Sequence, residues 1–139
     1  MDDSKKKILI ISSPTGEALC YIIRASYESE RTEFFTPASY SQQLGIIKYP
    51  KNGKITPHYH NLVVREVLYT QEVLVIRKGT VKVNLYDKER KFVTSEILHA
   101  GDTLLLASGG HGFEMLEDTE LLEIKQGPYN GVQNDKTTF

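Results

Sequence analysis

Three of the four histidines stand where strand geometry can gather them at one place. His58 and His60 are separated by a single residue, so in an extended strand both imidazoles leave the same face of the backbone. That spacing suits two nitrogen ligands of one metal ion, although a bare pair also suits ordinary surface or core placement. Glu72 would share a strand face with Leu74 and Ile76. A carboxylate pointed toward apolar neighbours is costly unless it is paired, hydrogen-bonded or metal-bound, or unless water still reaches it at the strand start. His111 follows the turn Ser108-Gly109-Gly110 and would share a face with Phe113 and Met115. Neutral imidazoles with one carboxylate suit Zn, Fe(II), Mn(II), Ni or Co, and nothing in the sequence chooses among them.

The elements that must position these groups read as strands. Short apolar runs at 19–23, 44–49, 55–60, 63–69, 72–77, 80–86, 92–98, 103–107, 112–116 and 121–125 are separated by turn punctuation. This is the spacing of an all-β sandwich or barrel. The alternation is cleanest at 80–86, where Val81, Val83 and Leu85 share one face. Asn52-Gly53 marks a hairpin, because both residues tolerate positive φ. A short helical turn is expected near 26–34, and no longer stretch carries a helical period. So many strands in so short a chain favour a closed or two-sheet architecture.

Composition bounds the rest. The chain has 139 residues, 40% of them hydrophobic, which suits a single domain over 1–139 with its own core. Seventeen basic against eighteen acidic residues leave a formal net charge of −1, with no excess to neutralise a phosphate backbone. Nucleic acid is therefore excluded as the expected partner. Membrane insertion by a long apolar helix is excluded too. Lys5-Lys6-Lys7 before Ile8-Leu9-Ile10-Ile11 mimics the start of a signal peptide, but the apolar run is too short. One cysteine, Cys20, rules out an internal disulfide and reads as a buried small hydrophobe. A cytoplasmic protein is the expectation.

Gly53, His58-x-His60, Glu72 and Gly79 follow one another in the order of the first motif of the cupin family, which this chain resembles over about 53–79. Gly101-Asp102 and Ala107-Ser108-Gly109-Gly110-His111 resemble the second, over about 101–115, with Ala107 where cupins usually carry proline. The resemblance implies a cupin-type double-stranded β-helix, a jelly-roll barrel. It also implies one divalent metal held by His58, His60, Glu72 and His111, the set that strand geometry also suggests. Eleven residues separate His60 from Glu72, where cupins usually have a far shorter spacer. The added 63–69 run reads as a longer hairpin arm or an extra strand, and Glu66 stands as the alternative carboxylate. A homodimer is implied by likeness to single-domain cupins and by the need to cover strand edges.

Tyr59, Arg65, Arg77, Phe113 and Met115 are the candidates for contacts to a small-molecule substrate. Gln71 and Arg77 would face away from Glu72 in a regular strand. His99 sits in a turn and is expected to be exposed. The glycine-dense 109–112 stretch lacks the helix of a phosphate-binding loop and instead permits tight turning. The irregular tail over 126–139 would either fray or dock through Tyr129 and Phe139, on its own barrel or on a second subunit. Three functions compete. One is a metalloenzyme acting on a small oxygen-rich metabolite such as a sugar derivative or oxo acid, in carbohydrate or cell-surface polysaccharide metabolism. The second is a metal-independent isomerase or epimerase of nucleotide sugars, with a histidine as general base. The third is a non-catalytic small-ligand-binding module, since one barrel hosts many activities.

Overall fold

The computed structural model describes residues 7–139, so Lys5 and Lys6 of the basic start lie outside the described residues. Ten strands form: β1 (Ile8–Ser12), β2 (Ala18–Ile23), β3 (Glu33–Phe34), β4 (Gly45–Ile46), β5 (Glu72–Lys78), β6 (Thr80–Tyr86), β7 (Phe92–His99), β8 (Thr103–Leu106), β9 (Gly110–Met115) and β10 (Glu120–Lys125). Among the described residues a single short helix, α1 (Val132–Asp135), lies in the tail. Every strand pairing is antiparallel. Five strands make one sheet in the order β1-β2-β8-β5-β10, three make a second in the order β7-β6-β9, and β3 and β4 pair apart. Among the described residues the sheets stay open at their edges and do not close into a barrel.

The core lies between the two larger sheets. Along β6 burial alternates strictly, with Val81, Val83 and Leu85 fully buried. They pack with Leu19, Ile22, Leu74, Ile76, Leu98, Leu104 and Leu106 in one cluster. Each such side chain contributes about 1.5–3 kcal/mol over an exposed position, and this burial holds the sheets together. Gly79 makes the step from β5 in one sheet to β6 in the other at φ 87°, and any Cβ there would collide with the Asp118 carbonyl. The outer face of the five-stranded sheet carries a second cluster, Tyr21, Val73, Leu105 and Ala107, covered by Tyr40 and Leu44.

The sequence expectations hold for the strands near 19–23, 72–77, 80–86, 92–98, 103–107, 112–116 and 121–125. Three corrections concern the middle of the chain. The 44–49 run pairs only over Gly45–Ile46. The runs at 55–60 and 63–69 form no strand, because among the described residues neither has a ladder partner, and every residue from 47 to 70 is exposed. The helical turn near 26–34 is absent. Ser29 Oγ instead bonds the Arg31 carbonyl at 2.5 Å and Glu33 Oε1 at 2.8 Å, so local side-chain bonds replace a helical turn. Three elements were not expected, one of them β3 at the end of the stretch read as a helical turn. The apolar 8–11 run forms β1 by pairing with β2, Ile10 opposite Tyr21, and the tail holds α1. No helix among the described residues is long and apolar enough to cross a membrane.

Candidate functional site

Register across the two sheets decides which candidate residues meet. On β9, His111 stands opposite Leu85 of β6, and Phe113 opposite Val83. Opposed residues share a face, and Leu85 and Val83 are inward, so His111 and Phe113 also turn toward the space between the sheets. On β5, Glu72 lies on the face of Leu74 and Ile76, both buried. The carboxylate and imidazole therefore approach each other across the open end of the sandwich, with His111 Nε2 3.8 Å from Glu72 Oε1. The Glu72 side chain is 13% exposed and that of His111 31% exposed. Phe113 tilts against the imidazole with ring centres 5.7 Å apart.

Strand β10 adds charged groups that sequence reasoning missed. Glu123 stands opposite Leu74, and Lys125 opposite Glu72, so both share the face of Glu72. Burial pushes the Glu72 carboxyl up to about 7, and its hydrogen bond and charge repulsion with Glu123 push in the same direction. Lys125 and Lys136 pull it back. Glu123 is held below its ordinary value, chiefly by the hydrogen bond from Glu72. The two carboxyls are thus pushed to opposite sides of the ordinary glutamate value. Burial, and then the charge of Lys136, lower His111 below its ordinary value, with Glu123 opposing. At neutral pH the His111–Glu72 contact therefore joins a neutral imidazole to a carboxyl near its midpoint, and it is not an ion pair. A neutral imidazole is the form that ligates metal.

The tail borders this site on its own chain. Phe139 packs edge-on against Tyr86 at 5.1 Å and lies against Gly110, while the Arg90 guanidinium sits 5.7 Å from its ring. Lys125 bonds Asp135 at 3.3 Å and sits 5.0 Å from the Tyr129 ring. The period of 121–125 could have flagged Glu123 and Lys125 as inward. The register that sets them beside Glu72 is set by pairing and is invisible in the pattern.

The remaining candidates are elsewhere. His58 and His60 lie in the exposed 47–70 segment, their rings 5.3 Å apart, and His58 Nδ1 is 2.8 Å from the Thr56 carbonyl. The structure therefore holds the four expected ligands as two pairs. Among the described residues no three His, Cys, Asp or Glu side chains gather in a metal-holding group. Glu66, Arg65 and Tyr59 are exposed in the same segment. Arg77 pairs with Glu120 at 3.3 Å on the outside, facing away from Glu72 as expected, and Met115 is 54% exposed at the end of β9. Gln71 is buried and fastens the 41–42 loop, accepting from Ser41 Oγ at 3.3 Å and the Gln42 amide at 3.2 Å. Cys20 is buried as expected, and its thiol is pushed up to about 12 by desolvation, which leaves it inert. His99 is exposed, as its turn suggests.

Both second-motif features have structural explanations. Asp102 is buried and accepts from the His99 amide at 2.8 Å, the Ala25 amide at 2.8 Å and the Arg24 guanidinium at 3.1 Å. It closes the turn from β7 to β8. The Ala107 amide donates to the Leu19 carbonyl at 2.8 Å, a bond that proline in its place could not make. A cavity of about 210 Å³ lined by Arg24, Tyr27, Phe35 and Thr103 lies at the opposite end of β8 from Glu72.

Glu72 and His111 offer two donors of the kind that ligate a borderline divalent ion, with Lys125 and Lys136 as the cations already near the carboxyl. In comparisons with known proteins, no family model, no curated protein and no solved structure matches the chain.

Proposed function

We propose that the chain is a divalent-metal-binding protein of cupin type, with His58, His60, Glu72 and His111 as ligands, acting as a metalloenzyme on a small oxygen-rich metabolite. The observation that carries the reading is the approach of Glu72 and His111 across the open end of the sandwich. Two residues thirty-nine positions apart, on different sheets, both turn inward there. Glu72 and His111 would hold the ion from the two packed sheets, and the His58-x-His60 pair would complete its shell. When bound, the ion supplies Lewis-acid polarisation of a carbonyl or hydroxyl oxygen. Phe113, against the His111 ring, offers an apolar wall, and Tyr59 and Arg65 travel with the histidine segment. A sugar derivative or oxo acid fits such a site, because it presents adjacent oxygens to the ion.

The test is elemental analysis of untagged protein beside two variants, His58→Ala/His60→Ala and His111→Ala. Near-stoichiometric metal in the parent, and its loss in both variants, is the expected result. A parent that holds no metal and takes up none of the added divalent ions would overturn the reading. One observation favours a second reading in that case. A neutral imidazole within 3.8 Å of a carboxyl can move a proton without metal, His111 acting as base and Glu72 holding the ring. Binding of a nucleotide sugar to metal-free protein would move an isomerase or epimerase to first place. Binding without turnover would leave a small-ligand-binding module.

A further inference from the structure

The segment that carries His58 and His60 is the least integrated part of the chain. All twenty-four residues from 47 to 70 are exposed. They include Leu62 at 104%, Val64 at 101% and Tyr59 at 86% exposure. Apolar side chains in such number, contiguous along the chain, mark a surface meant to be covered. The two ends are fixed. Lys48 bonds Thr32 and the Ser29 carbonyl, and Gln71 is buried. Between them, the hydrogen bonds of the described residues are local, Gly53 to Pro50 at 2.9 Å and His58 to Thr56. The segment is thus an arm that leaves β4 and returns at β5. At about 3.3 Å per residue, half of it reaches roughly 40 Å, far enough to lie on another molecule.

The surface that such an arm would fit is equally specific. Strand β9 pairs with β6 along one edge, and among the described residues its other edge carries no strand. That free edge holds His111, beside Glu72, so the edge that lacks a strand is also the site that lacks two ligands. A strand laid there from the arm would fill the ladder, bury its alternate side chains and turn His58 and His60 to one face.

Resting on the metal reading above, we propose that the 47–70 arm crosses to a second copy of this chain and pairs on its β9, so that each metal site takes His58 and His60 from one subunit and Glu72 and His111 from the other. Exchange in both directions makes a closed two-fold dimer. An arm of twenty-four exposed residues matches the roughly 20–30 residues that each partner brings to a stable interface. The occupant is a second copy because the ligands missing from the edge are those exposed on the chain's own arm.

The test uses the full chain and has two readouts. Sedimentation equilibrium is run on the parent and on Leu62→Asp/Val64→Asp, whose substitutions lie at exposed positions and leave the core intact. A dimeric parent and a folded monomeric variant are expected. A monomeric parent, or a variant that stays dimeric, overturns the exchange. Zinc content is then measured for His58→Ala/His60→Ala, for Glu72→Gln/His111→Ala, and for the two co-expressed. Each alone should hold none. Co-expressed, they should regain about a quarter of the parent's zinc per chain, because half the dimers are mixed and each mixed dimer keeps one intact site. No recovery overturns the sharing, since it means that arm and sandwich do not exchange ligands between chains. A parent that holds no zinc but loses its dimer when the arm is charged overturns the metal reading and leaves the exchange standing.

Discussion

Glu72→Gln should act in opposite directions on stability and on metal retention. In the metal-free protein the folded state holds the Glu72 proton up to about 7, against 4.5 for an ordinary glutamate. The unfolded chain sheds it near 4.5, so between pH 4.5 and 7 the folded state binds more protons and stability falls as pH rises. Above pH 7 the penalty is constant. A shift of this size on an isolated group corresponds to roughly 3 kcal/mol. Glu123 is depressed by the hydrogen bond from Glu72, so its own stabilisation is complete above its ordinary value and adds no slope between pH 4.5 and 7. Solvent still reaches the carboxyl and screens the penalty, so the net effect is about 1–2 kcal/mol. Glutamine keeps the shape, carries no charge and can donate its amide to Glu123. Urea unfolding in the presence of a chelator should show the variant level with the parent near pH 5. At pH 8 it should be more stable by about 1–2 kcal/mol, with the same denaturant slope. The same substitution should strip the metal, since it removes the carboxylate ligand. A stability difference that does not grow between pH 5 and 8 would refute the reasoning, as would a variant less stable than the parent at pH 8.

Two further substitutions test how the site is held. Gly109 takes φ 72° and a Cβ there would collide with the Tyr86 carbonyl, so Gly109→Ala should cost about 2–4 kcal/mol and shift β9 enough to weaken zinc retention. Gly112→Ala is its control, because a Cβ at Gly112 meets nothing within 4 Å; denaturation and zinc content that fail to separate the two variants would count against the turn's role. Asp102→Ala should cost about 2–4 kcal/mol, because it orphans the amides of His99 and Ala25 while Arg24 keeps Glu96 and the Ile97 carbonyl. A thermal midpoint lowered by roughly 10 °C is the expected reading, and a shift under about 2 °C would show that water replaces the carboxylate.

For β2 and for β5 to β10, which find partners inside the chain, the period-two pattern was enough to read them, whereas β1 and β3 went unread. Val81, Val83 and Leu85 are inward as the alternation requires, and so are Leu74 and Ile76 with Glu72 behind them. The inward turn of Glu72 and His111 follows from the same parity. Parity says nothing about register, which is why Glu123 could not be anticipated: it enters the site only because β10 pairs with β5 so that Glu123 meets Leu74. Asp102 shows a different limit. An aspartate after glycine in a turn has the same spelling whether it serves a ligand or closes the turn, and only the three donors converging on it decide.

The arm is where pattern and structure part. Its run of apolar residues has strand composition, yet a strand exists only where a neighbour offers amides and carbonyls, and a lone extended segment has nothing to gain by ordering. Periodicity is a property of the segment, whereas pairing is a property of its surroundings. The His58-x-His60 spacing was legible because it is local. Its delivery to Glu72 and His111 was not, because that depends on which edge receives the strand. An apolar arm left exposed and a ligand-bearing edge left unpaired are each unfavourable alone, and one contact between them would relieve both. The hydrophobic energy of the arm would then also be the energy that brings two imidazoles to the metal, so metal affinity should be coupled to assembly.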